Sequence, residues 1–386
     1  MLQSQISSLR SSTTTSYLHI IHDHHQFTMT KPIILHLGDP IAYNHDLYNG
    51  PLSTRFTIIR DTSPTREAFI EALKTNKYGP ITALLRPHFS SGKTMSPWDT
   101  SLISLLPPSV KIFASAGAGY NDVHIPSLTA RGIYYTNGAG ASDEAVADTT
   151  LYMILNVFRN FTASQIAARS GDEEKFMDCH KNLADVSVNP RGKVLGLIGL
   201  GRIGSEVVRK VRGALGMEVV YYDAVRVDES RERELGVRWG GGVRGVLEEA
   251  DCVSVHCPLN EETRGLIDGE KIGWMKHGVR IVNVARGGVV VEEDLVEGLR
   301  SGKVAAAALD VHEFEPVVDA RLRNMENVTL TTHVGGGAVE TRIGFERLAM
   351  ENILEVIGDD GEVVGEPITA VNGVEVREVW ERMGSE

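Results

Sequence analysis

The sequence predicts an α/β protein built from two doubly wound parallel sheets. Short apolar runs alternate with helical or loop stretches along most of the chain, which is the spacing of βα units. A glycine-rich turn at residues 199–204 follows one such run in mid-chain, so there is room for a complete sheet before it. With 386 residues, the chain is long enough to bury two sizeable cores.

Composition narrows the classes of function. The chain is 42% hydrophobic and 23% charged, as is usual for a globular protein, and its formal net charge is −12. That acidity, without any basic stripe, argues against a nucleic-acid partner. No apolar run approaches the roughly 18 residues that a membrane helix needs, so no membrane partner is expected. Cys179, Cys252 and Cys257 form no Cys-x-x-Cys pair and suit a reducing compartment, which favours a cytoplasmic protein.

Residues 1–29 differ in composition from the rest. Ser, Thr, Gln and His dominate this segment, and we expect a disordered extension or a start site placed too early. Residues 1–28 have no acid before Asp23, as in mitochondrial targeting peptides, but Arg10 is their only arginine, which weakens that alternative. The cluster at residues 22–25, His-Asp-His-His, is more typical of a tail without function than of a metal site, and no metal is expected.

The first domain is predicted to span residues 30–141. Its apolar runs, each bounded by turn or helix signals, are expected to form parallel strands. They are Ile33–Leu37, Phe56–Ile59, Ile81–Leu85, Val110–Ala114 and Ile133–Thr136. Ser142 is then placed to cap a long helix that runs to about residue 170, with Asp143 and Glu144 in its first turn, where negative charge is favourable.

The second domain is predicted at residues 142–336, with residues 337–386 forming a C-terminal helix and tail that return to the first domain. Its expected strands are Val194–Ile198, Met217–Tyr222, Cys252–Cys257, Val279–Val284, Val304–Leu309 and Val328–Thr332. The glycine-rich stretch 239–245 is expected to be a flexible loop, and residues 341–357 the final helix.

The turn at residues 199–204 carries a dinucleotide-binding fingerprint. Gly199 permits a tight turn out of the strand, Gly201 lets backbone approach a pyrophosphate, and Gly204 lets the helix pack on the sheet. Asp223 follows the next apolar run, where its carboxylate can accept hydrogen bonds from ribose hydroxyls and repel a 2′-phosphate. NAD is therefore favoured. NADP is not excluded, because Arg226 is near enough in sequence to bind such a phosphate.

Three polar side chains stand at or just past the carboxyl ends of predicted strands in the second domain. Each of Arg286, Glu315 and His333, taken singly, could be an ordinary loop residue. Ligands of open parallel sheets bind at this edge, so the three are expected to converge beside the cofactor. An arginine can clamp the carboxylate and ketone of a 2-keto acid, and a histidine can exchange the alcohol proton. A carboxylate beside the histidine orients its ring and favours its charged form.

With these motifs the chain resembles the D-isomer-specific 2-hydroxyacid dehydrogenases, most closely the fungal members of the D-mandelate type. The resemblance extends from residue 32 to about residue 367. It is carried by residues 111–120, 189–196, 199–204, 221–223, 251–255, 280–286, 309–316 and 328–336.

The resemblance implies a flavodoxin-like substrate domain, a Rossmann NAD domain and an active site in the cleft between them. The catalytic residues would be Arg286, Glu315 and His333. Together with the fingerprint, it places the cofactor contacts at Gly199, Gly201, Arg202, Ile203, Gly204, Asp223, Cys257, Pro258, Thr263, Val284, Ala285 and Asp310. Backbone amides of Ala116, Gly117 and Ala118 would receive the substrate carboxylate, and Asp310 would hold the nicotinamide amide. Family members are commonly homodimers, which is the expectation here.

The substrate is left open by the sequence. The partner is expected to be a small 2-keto or 2-hydroxy acid, with a bulky or aromatic one favoured and glyoxylate or hydroxypyruvate as the alternative. Leu84, Leu85, Arg86 and Tyr120 are predicted to form the pocket walls. Many family members have proline before the catalytic histidine, whereas this chain has Thr332, as in the D-mandelate-type enzymes. An alternative function from another class is that of a non-catalytic NAD(H)-sensing corepressor, because such proteins share this fold and its three polar residues.

Overall fold

The computed structural model describes residues 30–88 and 95–383. The predicted N-terminal extension, with its histidine cluster and possible targeting signal, lies outside the described residues. Within those ranges, no helix is both long and apolar enough to cross a membrane. The predicted fold class is confirmed, because the described chain forms two α/β units around one five-stranded and one seven-stranded parallel sheet.

The first sheet is entirely parallel, in the order β2-β1-β3-β4-β5. Its strands are β1 (Ile33–Leu37), β2 (Thr57–Asp61), β3 (Ile81–Arg86), β4 (Ile112–Ser115) and β5 (Tyr134–Thr136). Side chains alternate across the sheet, so each strand supplies two cores. In β1, Leu35 and Leu37 enter one core and Ile34 enters the other.

The second sheet is also parallel, in the order β12-β11-β10-β9-β6-β7-β8. Its strands are β6 (Val194–Ile198), β7 (Glu218–Tyr222), β8 (Arg238–Trp239), β9 (Cys252–Val255), β10 (Val279–Asn283), β11 (Val304–Leu309) and β12 (Val328–Leu330). The strand order reverses direction between β6 and β9. A crevice opens at such a switch point, and nucleotides bind there in doubly wound folds.

Helices cover both faces of each sheet. Those of the first half are α1 (His45–Leu47), α2 (Ser53–Arg55), α3 (Arg66–Lys74), α4 (Thr100–Ile103) and α5 (Ile125–Ala130). They are followed by α6 (Asp143–Arg159), α7 (Phe161–Arg169), α8 (Glu173–Val186), α9 (Arg202–Lys210), α10 (Glu229–Leu235), α11 (Val243–Glu249), α12 (Gly269–Trp274), α13 (Glu292–Arg300), α14 (Ala320–Arg323), α15 (Val339–Val356) and α16 (Gly373–Met383).

The C-terminal helices pack on the first sheet. Met350 and Ile353 of α15 are fully buried in the core beneath β3 and β4, and Val376 of α16 enters the same core. Helix α6 instead packs against α9, β10 and β11 of the second sheet. The chain therefore leaves the first unit before α6 and returns to it at α15, while the boundaries 30–141, 142–336 and 337–386 stay a proposal.

The secondary structure differs from the sequence predictions in four respects. The long helix predicted to run to residue 170 is interrupted at Asn160, whose φ of 51° is left-handed and ends α6. Ser142 precedes α6 but makes no side-chain capping bond. The stretch 239–245 is not wholly a loop, since it includes the end of β8 and the start of α11. Helix α16 lies in the predicted tail, where the sequence analysis placed no element.

Candidate active site

The glycine turn after β6 is shaped by close backbone packing. Gly199 has a φ of 103°, and a Cβ there would lie 2.8 Å from both the Cys257 nitrogen and the His256 carbonyl carbon. A Cβ on Gly204 would overlap the Gly199 carbonyl oxygen. Gly201 differs, because a Cβ there would meet no atom within 4 Å. Two glycines are thus required by the protein's own backbone, and the third faces open space.

The open space lies at the start of α9. Gly201 is the N-cap of this helix and, having no side chain, leaves the first amides uncapped. Such a helix end attracts a phosphate through its free N–H groups and its dipole. Arg202 extends outward and its Nε donates to the Asp143 carboxylate at 2.8 Å, while Ile203 packs on the core. This end of the helix therefore fits a cofactor pyrophosphate.

Asp223 lies at the end of β7, beside the turn. The Leu200 amide donates to its Oδ2 at 2.7 Å, which fixes the carboxylate next to the fingerprint. Arg226 does not face it as a free cation. Its Nε and Nη2 donate to the two oxygens of Glu232 at 2.8 and 2.9 Å, and Glu232 also accepts from the Tyr221 hydroxyl.

The remaining predicted cofactor contacts lie on two neighbouring strand ends. Burial raises the pKa of the Cys257 thiol to about 11, so it stays protonated. The Thr263 hydroxyl donates to the Pro258 carbonyl at 2.6 Å and closes a turn. After β10, Val284 is buried, and the Ala285 amide donates to Asn283 Oδ1 at 3.1 Å.

Arg286 follows β10 and reaches toward the first sheet. Its Nε donates to Asn121 Oδ1 at 3.0 Å, and a Cβ on Gly119 would overlap its guanidinium group. Burial lowers the pKa of Arg286 from its usual value, and the nearby negative charge of Glu315 opposes that shift. The arginine thus lies between the glycine loop of one unit and the carboxylate of the other.

Glu315 and His333 form a contact pair. The ring Nδ1 of His333 lies 2.9 Å from Glu315 Oε2, and the second carboxylate oxygen accepts the His312 amide at 3.0 Å. Partial burial alone would raise the pKa of Glu315, but these hydrogen bonds outweigh it and hold the pKa below its usual range. A carboxylate can only accept, so His333 Nδ1 carries a proton and its Nε2 is left for other partners.

Asp310 organises the loop that carries His333. Its carbonyl accepts the His333 amide at 2.8 Å, and its buried carboxylate accepts the Thr331 hydroxyl and the amides of Val334 and Gly335 at 2.6–2.8 Å. His333 has a left-handed φ of 58°, which costs free energy and needs such support. Both carboxylate oxygens of Asp310 are already bonded within the loop. Its predicted contact with the nicotinamide amide would be an addition to these bonds.

Only part of the predicted substrate loop has backbone amides that are free to bind a ligand. The Ala116 amide donates to the Arg86 carbonyl at 2.7 Å, so it is not free to bind a carboxylate. The carbonyls of Gly117 and Ala118 accept from Gly138 and Asn137, both at 2.8 Å. The amides of Gly117 and Ala118 donate to no residue in the described part of the chain. Two amides therefore remain for a ligand.

Three of the four predicted pocket walls are wrong. Leu84 and Leu85 are fully buried in the two cores of the first sheet. Arg86 is also buried, and its Nη1 donates to Asp122 at 2.9 Å while Nε donates to Ser115. The strand is covered on both faces, which one sequence run cannot reveal. Tyr120 is 37% exposed and stays available to a ligand.

Asn121 is a residue that the sequence analysis missed. It accepts from Arg286, and its Nδ2 lies 3.4 Å from the Leu259 carbonyl, so it touches the second unit twice. The available signal was its position directly after the glycine loop. Nothing in the sequence pairs it with an arginine 165 positions later.

Known proteins resemble the chain in sequence and in structure. The profile described as "D-isomer specific 2-hydroxyacid dehydrogenase, NAD binding domain" matches residues 151–335. The 4-methyl-2-oxopentanoate reductase A of Aspergillus oryzae is 32% identical over 79% of this chain and 89% of its own length. Glyoxylate reductase 1 of Saccharomyces cerevisiae is 33% identical over 85% of this chain and 92% of its own length.

A solved structure extends the likeness to both units. The holo form of D-mandelate dehydrogenase from Rhodotorula graminis superposes with a TM-score of 0.86 at 41% identity. The superposition covers 89% of this chain and 98% of that one. The chain thus belongs to the D-isomer-specific 2-hydroxyacid dehydrogenases, which are NAD(P)-dependent oxidoreductases, and it carries their NAD-binding domain.

Proposed function

We propose that this enzyme interconverts 2-keto acids and D-2-hydroxy acids, with NAD as its cofactor. Arg286 clamps the substrate, His333 exchanges its proton, and Glu315 orients His333. The observation that carries the proposal is the 2.9 Å contact between His333 and Glu315 on the same edge of the sheet as Arg286. When bound, the nicotinamide supplies the hydride donor or acceptor.

Arg286 is suited to hold the substrate. Its guanidinium stays charged, and a planar fork of donors matches a carboxylate and an adjacent ketone oxygen. Asn121 accepts from Nε and so fixes the plane of the group. The free amides of Gly117 and Ala118 lie on the loop that faces this arginine, which supports a substrate carboxylate held between the two units.

His333 is suited to proton exchange. Because Nδ1–H is bonded to Glu315, the proton that moves is the one on Nε2, and the substrate oxygen is its partner. During reduction, Nε2–H gives its proton to the ketone oxygen, and during oxidation Nε2 takes it from the alcohol. The negative charge of Glu315 stabilises the charged ring that is needed for reduction.

The cofactor preference follows from Asp223. It would accept from the ribose hydroxyls and repel a 2′-phosphate. Because Arg226 is held by both oxygens of Glu232, it does not compensate that repulsion. In the proposed set, Gly201, Arg202 and Ile203 would hold the pyrophosphate. Cys257, Pro258 and Thr263 would line the adjacent strand end, and Val284, Ala285 and Asp310 would contact the nicotinamide side of the cofactor.

We propose a bulky or aromatic 2-keto acid as substrate. The likeness to a D-mandelate dehydrogenase supports it, as does the half-exposed ring of Tyr120 next to the substrate loop. The test is a panel of benzoylformate, phenylpyruvate, glyoxylate and hydroxypyruvate with NADH and NADPH, scored by kcat/KM. Higher values for glyoxylate would replace the aromatic proposal with a small-acid reductase. No turnover of any acid would favour a cofactor-sensing role.

We also propose a cytoplasmic homodimer. Helices α7 and α8 form a hairpin that contains no buried residue, and it leaves Ile166, Phe176 and Met177 between 44% and 52% exposed. Large apolar side chains exposed on one hairpin favour a second copy of the chain as partner. Sedimentation should give a dimer for the native chain and a monomer for Phe176→Asp. A monomeric native chain would contradict the proposal.

A further inference from the structure

His312 is a buried histidine that the proposed mechanism does not use. It is 6% exposed and lies three residues after the end of β11, between Asp310 and Glu315. Its neighbours include parts of all three segments that carry the proposed catalytic groups. Burying an imidazole in such a place is costly unless its nitrogens find partners.

The backbone of His312 touches two of these segments. Its amide donates to Glu315 Oε1 at 3.0 Å, on the carboxylate whose other oxygen meets His333. Its carbonyl group presses on the segment of Arg286, because a Cβ added to Gly287 would overlap that carbonyl. A shift of His312 would therefore move both the carboxylate and the turn that begins at the arginine.

The ring of His312 touches the third segment. Its Nε2 lies 2.8 Å from the Thr331 carbonyl, two residues before His333. A carbonyl only accepts, so Nε2 carries the proton. Thr332 lies directly before His333, so no pyrrolidine ring stiffens the loop at this position. The loop is held instead by the hydrogen bond that Thr331 donates to Asp310 and by the one that Thr331 accepts from His312.

The other ring nitrogen faces a buried acid. Nδ1 has no hydrogen-bond partner among the described residues, and Glu292 Oε1 lies 3.9 Å from it. Glu292 and Glu313 are linked by two hydrogen bonds, because the carboxylate of each accepts from the backbone amide of the other at 2.9–3.1 Å. Burial raises the pKa of Glu292, and the charges of Glu313 and Asp319 add to that effect. The Nδ1 edge of the His312 ring thus faces buried acidic residues without a hydrogen bond, whereas the Nε2 edge is bonded to the loop that carries His333.

We propose that His312 is a positioning residue, whose Nε2–H holds the loop of His333 and whose backbone fixes Glu315 and the turn after Arg286. The inference rests on the roles proposed for those three residues. It predicts that the position of His333 depends on a hydrogen-bond donor where His312 has Nε2, and that a side chain other than imidazole can supply this donor.

Two polar substitutions of His312 distinguish the role of Nε2 from that of Nδ1. The amide nitrogen of His312→Gln reaches about as far as Nε2 and can donate to the Thr331 carbonyl. The amide of His312→Asn reaches only as far as Nδ1 and faces Glu292. With benzoylformate or glyoxylate and NADH, we expect Gln to retain most of kcat and Asn to lose ~10-fold or more, with little change in KM. The pH above which reduction declines should fall in the Asn variant alone.

His36→Phe is the matched control for His312→Phe. His36 is also buried, and its Nε2 likewise contacts a backbone carbonyl, that of Asp39 at 2.7 Å, but it is on β1 of the other sheet. Both variants should lower Tm, but only His312→Phe should lower kcat and move the pH profile. Equal kcat for the Gln and Asn variants, or an unmoved pH profile in His312→Phe, would overturn the proposal. A fully active His333→Ala would instead overturn the proposed function.

Discussion

The nucleotide turn (residues 199–204) and the segment that carries the proposed catalytic pair (residues 310–335, called the catalytic segment) lie on the same edge of one sheet but are built differently. In the turn, backbone packs on backbone, as where Gly204 meets the Gly199 carbonyl. In the catalytic segment, polar side chains hold the loops, with Asp310 alone accepting four hydrogen bonds from residues 331–335. A turn of the first kind can be recognised from a short sequence, while the second needs long-range contacts.

The largest effect is expected outside both regions, at the residue that bridges the two units. Arg286→Ala removes the cation that is proposed to clamp the substrate carboxylate, and kcat/KM should fall by ~10³-fold, the scale of removing a preorganised donor to the reacting oxygen. Steady-state kinetics with a 2-keto acid and NADH measure it. Asn121→Ala is the milder companion, because it removes the fixed orientation and not the charge. NADH affinity should be unchanged in both variants.

Within the catalytic segment, His333→Ala should lower kcat by at least ~10²-fold, the usual scale of general acid catalysis. The segment itself should remain folded, because Asp310 bonds to the His333 backbone and not to its ring. Thermal unfolding should therefore match the native chain. Native turnover in this variant would remove the histidine from the mechanism.

Within the nucleotide turn, Gly199→Ala and Gly201→Ala should behave in opposite ways. An added Cβ at Gly199 collides with backbone at a φ of 103°, so the free energy of unfolding should fall by roughly 1–3 kcal/mol. At Gly201 the Cβ points into open space, so stability should hold while NADH affinity drops by ~10-fold through lost close approach. Tm and fluorescence titration with NADH measure the two. A tightly binding Gly201→Ala would mean that the cofactor does not approach there.

The smallest effect is expected for Glu315→Gln, which tests the charge interaction between Glu315 and His333 and leaves the loop of His333 unchanged. Because hydrogen bonds hold the pKa of Glu315 below its usual range, the native carboxylate is ionised around neutral pH. Its charge favours the protonated ring, and reduction consumes that proton. Removing the charge makes the ring lose its proton at lower pH, so the alkaline limb of the reductive rate should move down. The pH profile of kcat measures this, and an unmoved limb would leave Glu315 a structural role only.

Sequence reasoning predicted the strands more accurately than the helices or the pocket walls. It placed β1, β6 and β11 at their observed limits, set the ends of the other predicted strands within two residues, and missed the short β8. Helix bounds were poorer, since the left-handed Asn160 breaks a helix whose apolar spacing continues past it. The pocket walls failed at Leu84 and Leu85, because an apolar run cannot say whether a helix covers both of its faces.

By itself, the sequence determined the two-sheet fold, the nucleotide turn and the three polar residues at strand ends, because strand periodicity, glycine spacing and position after a strand are local properties of the chain. The tertiary structure decided what these residues touch. The 2.9 Å contact of His333 with Glu315, the bond from Arg286 to Asn121 and the buried place of His312 all join residues distant in sequence. Folding brings them together because the carboxyl ends of parallel strands share one edge.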